Sequence, residues 1–303
     1  MSAHHRVATG SGLLLVVVAV LACAAPARAS TIVGRNATGV KLTVDGRGFA
    51  AVSFREGGVE RHVLAWGASN AAVKFKLDYA GGRGAFHRQA WKSMQSCPLY
   101  DGPPLAWVTA ACKAPDGTYW AVQSWQRMLP NQGYAPLSAS QGSWELHLSH
   151  WTGALPALEV YLDWIYAGKF AHLFGRYTYL GKPVHGFRSS ATGVPLDPYE
   201  RNIYLDTFGS AYGKGWRREN SFLAHRPNGN FCYGFLSRKS YYDSTTRPAG
   251  VGARYRATAI GPGVAPDVFW TGEALVSYDA VYEARMNQLS DQIAGSDRGC
   301  RQH

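Results

Sequence analysis

The side chains best able to do chemistry in this sequence lie two residues apart. In the stretch from Ser143 to Tyr166, Glu145 and His147 alternate with Trp144, Leu146 and Leu148, and Glu159, Tyr161 and Asp163 alternate with Leu158, Val160, Leu162 and Trp164. Alternation of this kind puts the polar residues of a strand on one face. Thr152, Gly153 and Pro156 supply turn residues between the two runs, so a hairpin centred on Ala154 is expected. That register sets Glu145 opposite Asp163 and His147 opposite Tyr161, with the carboxylates about 4.5–5.5 Å apart at Cβ. Like charges at that distance need compensation. One carboxyl held protonated gives the acid and base of a glycosidase, with Glu145, Asp163 and His147 as its catalytic residues. A guanidinium from the next strand, such as Arg176, gives only a salt-bridged surface. The salt-bridged surface is preferred, because a two-residue slip of register removes the juxtaposition.

A second stretch, from Phe208 to Asn220, interleaves three glycines with Tyr212, Lys214, Trp216, Arg217 and Arg218. Aromatic faces can stack on sugar rings while the cations pair with carboxylate or phosphate. Read as a glycine-rich loop, these five residues form a ligand site; the structural alternative is an Ω-loop with Trp216 packed inward.

Other chemistries find no support. There is no G-x-S-x-G, H-E-x-x-H or Walker A pattern, and no cofactor is implied. His147 and His150 are three apart, which on a strand separates them to opposite faces and argues against a shared metal. Gln89-Ala90-Trp91 and Gln123-Ser124-Trp125 each spell the Q-x-W of β-trefoil lectins. No third copy or regular spacing accompanies them, and core tryptophans are the better expectation.

The elements that must carry these residues read as strands. Thr31 to Tyr79 has the grammar of a meander, with turns at Asp45-Gly46 and Gly57-Gly58. Leu105–Ala111 and Thr118–Met128 are expected to pair through Pro115-Asp116-Gly117, and Asn220–His225 and Phe231–Leu236 through Pro227-Asn228-Gly229. Two further strands follow, 253–260 and 268–270. The one helical pattern is terminal: Ser277 as cap, a stripe of Tyr278, Tyr282, Met286, Leu289 and Ile293, and Gly295 as stop. The class expected is all-β, an antiparallel sandwich or jelly-roll-like arrangement in one domain or two modules, with one C-terminal helix.

Residues 1–29 have the three parts of a secretory signal, with Ala27-Arg28-Ala29 as the cleavage site. Val20-Leu21-Ala22-Cys23 offers a less favoured alternative, a lipoprotein-type box that would make Cys23 a lipid anchor. Beyond the signal, the expected regions are an N-terminal β region at 30–130, a linker or long loop at 131–142 rich in Pro, Gly, Ser and Gln, a C-terminal β region at 143–276 and the helix at 277–295. No later segment is apolar for long enough to span a membrane. The signal carries two of the 31 basic residues and none of the 20 acidic ones, so the mature chain has a net charge of +9.

Four cysteines remain in the mature chain, and an even number in an exported protein favours disulfides. Cys97 with Cys112 and Cys232 with Cys300 is the preferred pairing. These properties together describe a secreted or cell-envelope protein. Its expected role is non-catalytic binding of carbohydrate or an anionic envelope polymer, with nucleic acid disfavoured because the charge is dispersed. The alternative is a polysaccharide-active hydrolase or lyase using the carboxylates of the 143–166 hairpin.

Overall fold

The computed structural model describes residues 30–67, 75–79, 92–126, 143–168, 170–183, 203–210, 213–218, 221–225, 229–235, 254–259, 261, 265–273 and 278–295. The expected signal segment at 1–29 with Cys23, the expected linker at 131–142, Trp91, Tyr212 and Cys300 lie outside the described residues. Among those described, four antiparallel sheets and one helix carry the chain, as an all-β reading requires.

Two sheets face each other across the first core. One has the order β1 (Thr31–Arg35), β9 (Trp144–Trp151), β8 (Tyr119–Gln126), β7 (Val108–Lys113). The other runs β5 (Phe75–Tyr79), β4 (Val59–Gly67), β3 (Ala50–Glu56), β2 (Thr38–Val44), β6 (Gln95–Ser96). Between them lie Val44, Val52, Phe54, Val63, Trp120, Val122, Leu146 and Leu148, all buried. The β3–β4 hairpin closes on Gly57 and Gly58 at φ 57° and 81°, the left-handed pair that a two-residue turn demands and that glycine adopts at least cost. The β2–β3 turn is fastened by Asp45, whose carboxylate accepts from the backbone N–H groups of Arg47 and Phe49. Cys97 and Cys112 form the expected disulfide.

Two more sheets enclose a second core. One is β10 (Ala157–Tyr166), β11 (Phe170–Tyr179), β16 (Asn230–Phe235), β15 (Ser221–His225), with β12 (Lys182–Pro183) paired to β11. Its partner is β14 (Gly213–Arg218), β13 (Ile203–Ser210), β17 (Arg254–Ala259), β18 (Val268–Glu273). Ile165, Leu173, Tyr177, Ile203, Leu205, Phe231, Tyr255 and Ala257 fill the space between. The helix α1 (Ala280–Ala294) covers the outer face of the β10–β11–β16 sheet, where Met286 and Ala294 bury Trp164, Phe174 and Cys232. Its cap is Asp279, whose carboxylate accepts from the N–H groups of Val281 and Tyr282, not the expected Ser277. Its buried residues are Met286, Ser290 and Ala294, while Tyr278, Tyr282 and Ile293 of the expected stripe stay exposed.

The 143–166 hairpin does not form. β9 is hydrogen-bonded to β8 on one side and β1 on the other, with Gly34 opposite Leu146 and Gln123 opposite His147. With both edges taken, no edge is left for β10, which pairs with β11 instead. The turn residues 152–156 therefore pass from one sheet to another. β9, which sequence alone assigns to the C-terminal region, belongs to the N-terminal sheet. β10 also departs from simple alternation, because its register with β11 shifts between Val160 and Leu162. A bulge there reverses the faces beyond it: Leu158 and Val160 pack on the second core, whereas Leu162, Trp164 and Tyr166 face α1.

Candidate functional site

The bulge in β10 decides where Asp163 goes. It turns the carboxylate toward the opposite sheet, where it accepts a hydrogen bond from the Tyr255 hydroxyl. Burial, followed by that bond and the charge of Asp163, pushes the Tyr255 hydroxyl pKa up. Glu145, two sheets away, is held by Arg35 at 3.6 Å and by His147 at 3.2 Å. The expected pairing of Glu145 with Asp163 is therefore absent, and with it the paired-carboxyl device. Arg176 stands opposite Glu159 in the register and compensates neither residue. Glu145 and His147 do share a face as expected. His147 and His150 diverge as expected too: His147 packs beside Trp125, while His150 lies flat on Trp120 at 3.8 Å and meets the Thr118 hydroxyl.

The second expected site is a strand rather than a loop. Lys214, Trp216, Arg217 and Arg218 form β14, with Trp216 opposite Phe208, Arg217 opposite Thr207 and Arg218 opposite Asp206.

What the sheet assembles around Trp216 was not legible locally. On the outer face of the β14–β13–β17–β18 sheet, the guanidinium of Arg256 lies 4.1 Å from the centre of the Trp216 ring, 4.7 Å from that of Trp107 and 4.9 Å from that of Phe269. Arg254, two residues along β17, lies 4.9 Å over Phe208, which meets Trp216 edge-on. A desolvated cation over an aromatic ring gains about 2 kcal/mol, an exposed one about half to one. Burial lowers the pKa of Arg256, with the buried Asp206 opposing and Arg254 adding to the shift. A guanidinium nonetheless stays charged at any working pH.

Trp107 reaches this face from the other sandwich. Its φ of 43° is unusual for a bulky residue, and its carbonyl accepts from the Ser124 N–H. This backbone holds its ring parallel to Trp125 at 5.6 Å, and Trp125 in turn meets Tyr204 edge-on. Beside them, the buried Gln123 side chain exchanges hydrogen bonds with the backbone of Asp267 and joins the two sandwiches. The rings thus form a row graded in burial. Trp125 and Tyr204 are sealed in the seam, Trp107, Arg256, Trp216 and Phe269 are half-buried at its mouth, and Phe208 and Arg254 are exposed beyond it. Such a row offers ring faces and two cations along one open strip.

No family model, no curated protein and no solved structure matches the chain. Among the described residues no group of three or more His, Cys, Asp and Glu is placed to hold a metal ion, and no helix is long and apolar enough to cross a membrane.

Proposed function

We propose that this protein is an exported binding module for an acidic polysaccharide or a comparable anionic envelope polymer. The observation that carries the proposal is the strip on which Arg254 and Arg256 are cradled by Phe208, Trp216, Phe269 and Trp107. Planar guanidinium groups pair with carboxylate in two parallel hydrogen bonds, and ring faces stack on the apolar faces of sugars. Cations already fixed by aromatic neighbours lose little further freedom on binding. A mature charge of +9 steers polyanions toward the surface. Export is supported by the signal-like first 29 residues and by the Cys97–Cys112 disulfide, a bond favoured in oxidising compartments.

The test is retention of the folded protein on an immobilised polyuronate, with a neutral glucan as control. Retention on the polyuronate should fall steeply as salt rises, since exposed charges are screened beyond ~10 Å at 0.1 M. Trp216→Ala and Arg254→Ala should each weaken binding roughly tenfold, equivalent to about 1.4 kcal/mol. Equal retention on both matrices, or unchanged retention of the variants, would remove this assignment.

A further inference from the structure

Behind the aromatic row, on the edge of the first sandwich, three side chains are joined in series. The Ser30 hydroxyl oxygen is 2.8 Å from Nδ1 of His147, and Nε2 of His147 is 3.2 Å from a carboxylate oxygen of Glu145. The fold assembles them through the β1–β9 ladder, in which Ile32 stands opposite His147 and Arg35 opposite Glu145. Ser30 precedes β1, so its contact with His147 spans 117 residues of chain.

The hydrogen-bond directions follow from what each group can do. An ionised carboxylate only accepts, so Nε2 of His147 carries the proton and donates it to Glu145. In the neutral imidazole that leaves Nδ1 with a lone pair and no hydrogen. The only direction open to the remaining contact is from the Ser30 O–H to Nδ1. Glu145 therefore fixes the tautomer in which the imidazole polarises the hydroxyl, and Arg35 at 3.6 Å favours the ionised carboxylate on which this depends. Trp125 flanks the ring of His147 at 5.7 Å. A hydroxyl bonded to a base that is itself oriented by a third group is the arrangement of an activated nucleophile, recognised by geometry and not by sequence order.

We propose that Ser30, His147 and Glu145 form an acyl-transfer site that accepts small activated acyl esters. Ser30 Oγ adds to the ester carbonyl carbon as its proton passes to Nδ1 of His147, and the imidazolium is stabilised by Glu145 through Nε2–H. Collapse of the tetrahedral adduct breaks the bond to the leaving oxygen, which departs as the alcohol with the proton from Nδ1. A water molecule then repeats the sequence on acyl-Ser30: its proton goes to Nδ1, the carboxylic acid is released and the Ser30 hydroxyl is restored. The restriction to small acyl groups comes from the burial of the base, since His147 is 3% exposed.

The experiment exposes the folded protein to p-nitrophenyl acetate and, separately, to a small alkyl fluorophosphonate, and locates adducts by peptide mass mapping. Both reagents should modify the Ser30 hydroxyl, and hydroxylamine should remove the acetyl group, which distinguishes this ester from an acetylated N-terminal amine. Ser30→Ala should abolish that adduct, Ser30→Cys should retain acylation through the thiol, and His147→Gln should slow acylation on the order of 100-fold, the scale of general-base catalysis. The urea-unfolded protein should show no selective labelling. Absence of a Ser30 adduct in the folded protein, or equal labelling of Ser30 in folded and unfolded chains, would overturn the proposal and leave a structural hydrogen-bonded triad. Acylation is read separately from retention on polyuronate, so either result stands without the other.

Discussion

Acidification should weaken this fold at one identifiable place, beneath α1. His172 is 4% exposed and stacks on Trp164 at 4.5 Å, with Tyr166 edge-on. Its Nε2 has no hydrogen-bond partner among the described residues. Burial alone lowers its pKa from 6.5 to about 4. The folded protein therefore keeps His172 neutral where the unfolded chain would bind a proton, and linkage requires stability to rise with pH across that interval. Above pH 6.5 there is no penalty. As the pH falls, the cost grows to about 2 kcal/mol at pH 5 and approaches about 3 kcal/mol below pH 4, at about 1.4 kcal/mol for each tenfold change in proton affinity. Urea unfolding followed by tryptophan fluorescence, run from pH 7.5 to 4 on the wild type and on His172→Phe, isolates this contribution, because ionisable groups elsewhere are common to both proteins. The variant should gain on the wild type by those amounts, which for a chain of this size is roughly 4–8 °C in Tm at pH 5. Parallel pH profiles for the two proteins would refute the assignment of a buried neutral imidazole.

Three other outcomes follow from local geometry. Gly175→Ala should destabilise by about 1–3 kcal/mol or more, because a Cβ there would stand 2.0 Å from the Glu159 carbonyl oxygen and 2.7 Å from the Phe231 ring; chemical denaturation measures it, and wild-type stability would show that the two strands can separate freely. Asp279→Ala should cost about 1 kcal/mol through loss of the α1 cap, detected as faster amide exchange in 280–284 than in the β-strands. Cys97→Ser with Cys112→Ser should cost about 3 kcal/mol, as expected for a loop of about 15 residues in the chain-entropy model. Equal thermal melts of this variant and the oxidised wild type would count against that entropic contribution.

How much of the site could be read in advance depends on how far apart its partners lie in the chain. Local turn chemistry was legible: Gly57-Gly58 and Pro115-Asp116-Gly117 each join the strands they were expected to join, and Ser221–His225 pairs with Asn230–Phe235 as expected. The pairing of Cys97 with Cys112 was legible from a short loop, and Cys232 is also disulfide-bonded. Trp216 was recognised as the aromatic among cations, but the cations that embrace it, Arg254 and Arg256, come from a strand about forty residues later. Nothing near Trp216 in sequence announces them.

Strand-forming alternation, the turns, the short-range disulfide and the all-β class can be read from the chain alone, because these depend on residues a few positions apart. Which strand edges meet is settled only in the folded molecule. Glu145 and Asp163 sit on two well-formed alternating runs, yet β1 and β8 occupy both edges of β9, and a bulge at Tyr161 turns the second half of β10 over. Alternation fixes the face that a residue shares with its neighbours two positions away, but not which strand lies alongside. That choice depends on the burial of distant residues such as Trp120, Trp125 and Tyr204. It also brings Ser30 to His147 across 117 residues, and Trp107 to Arg256 across the seam of the two sandwiches.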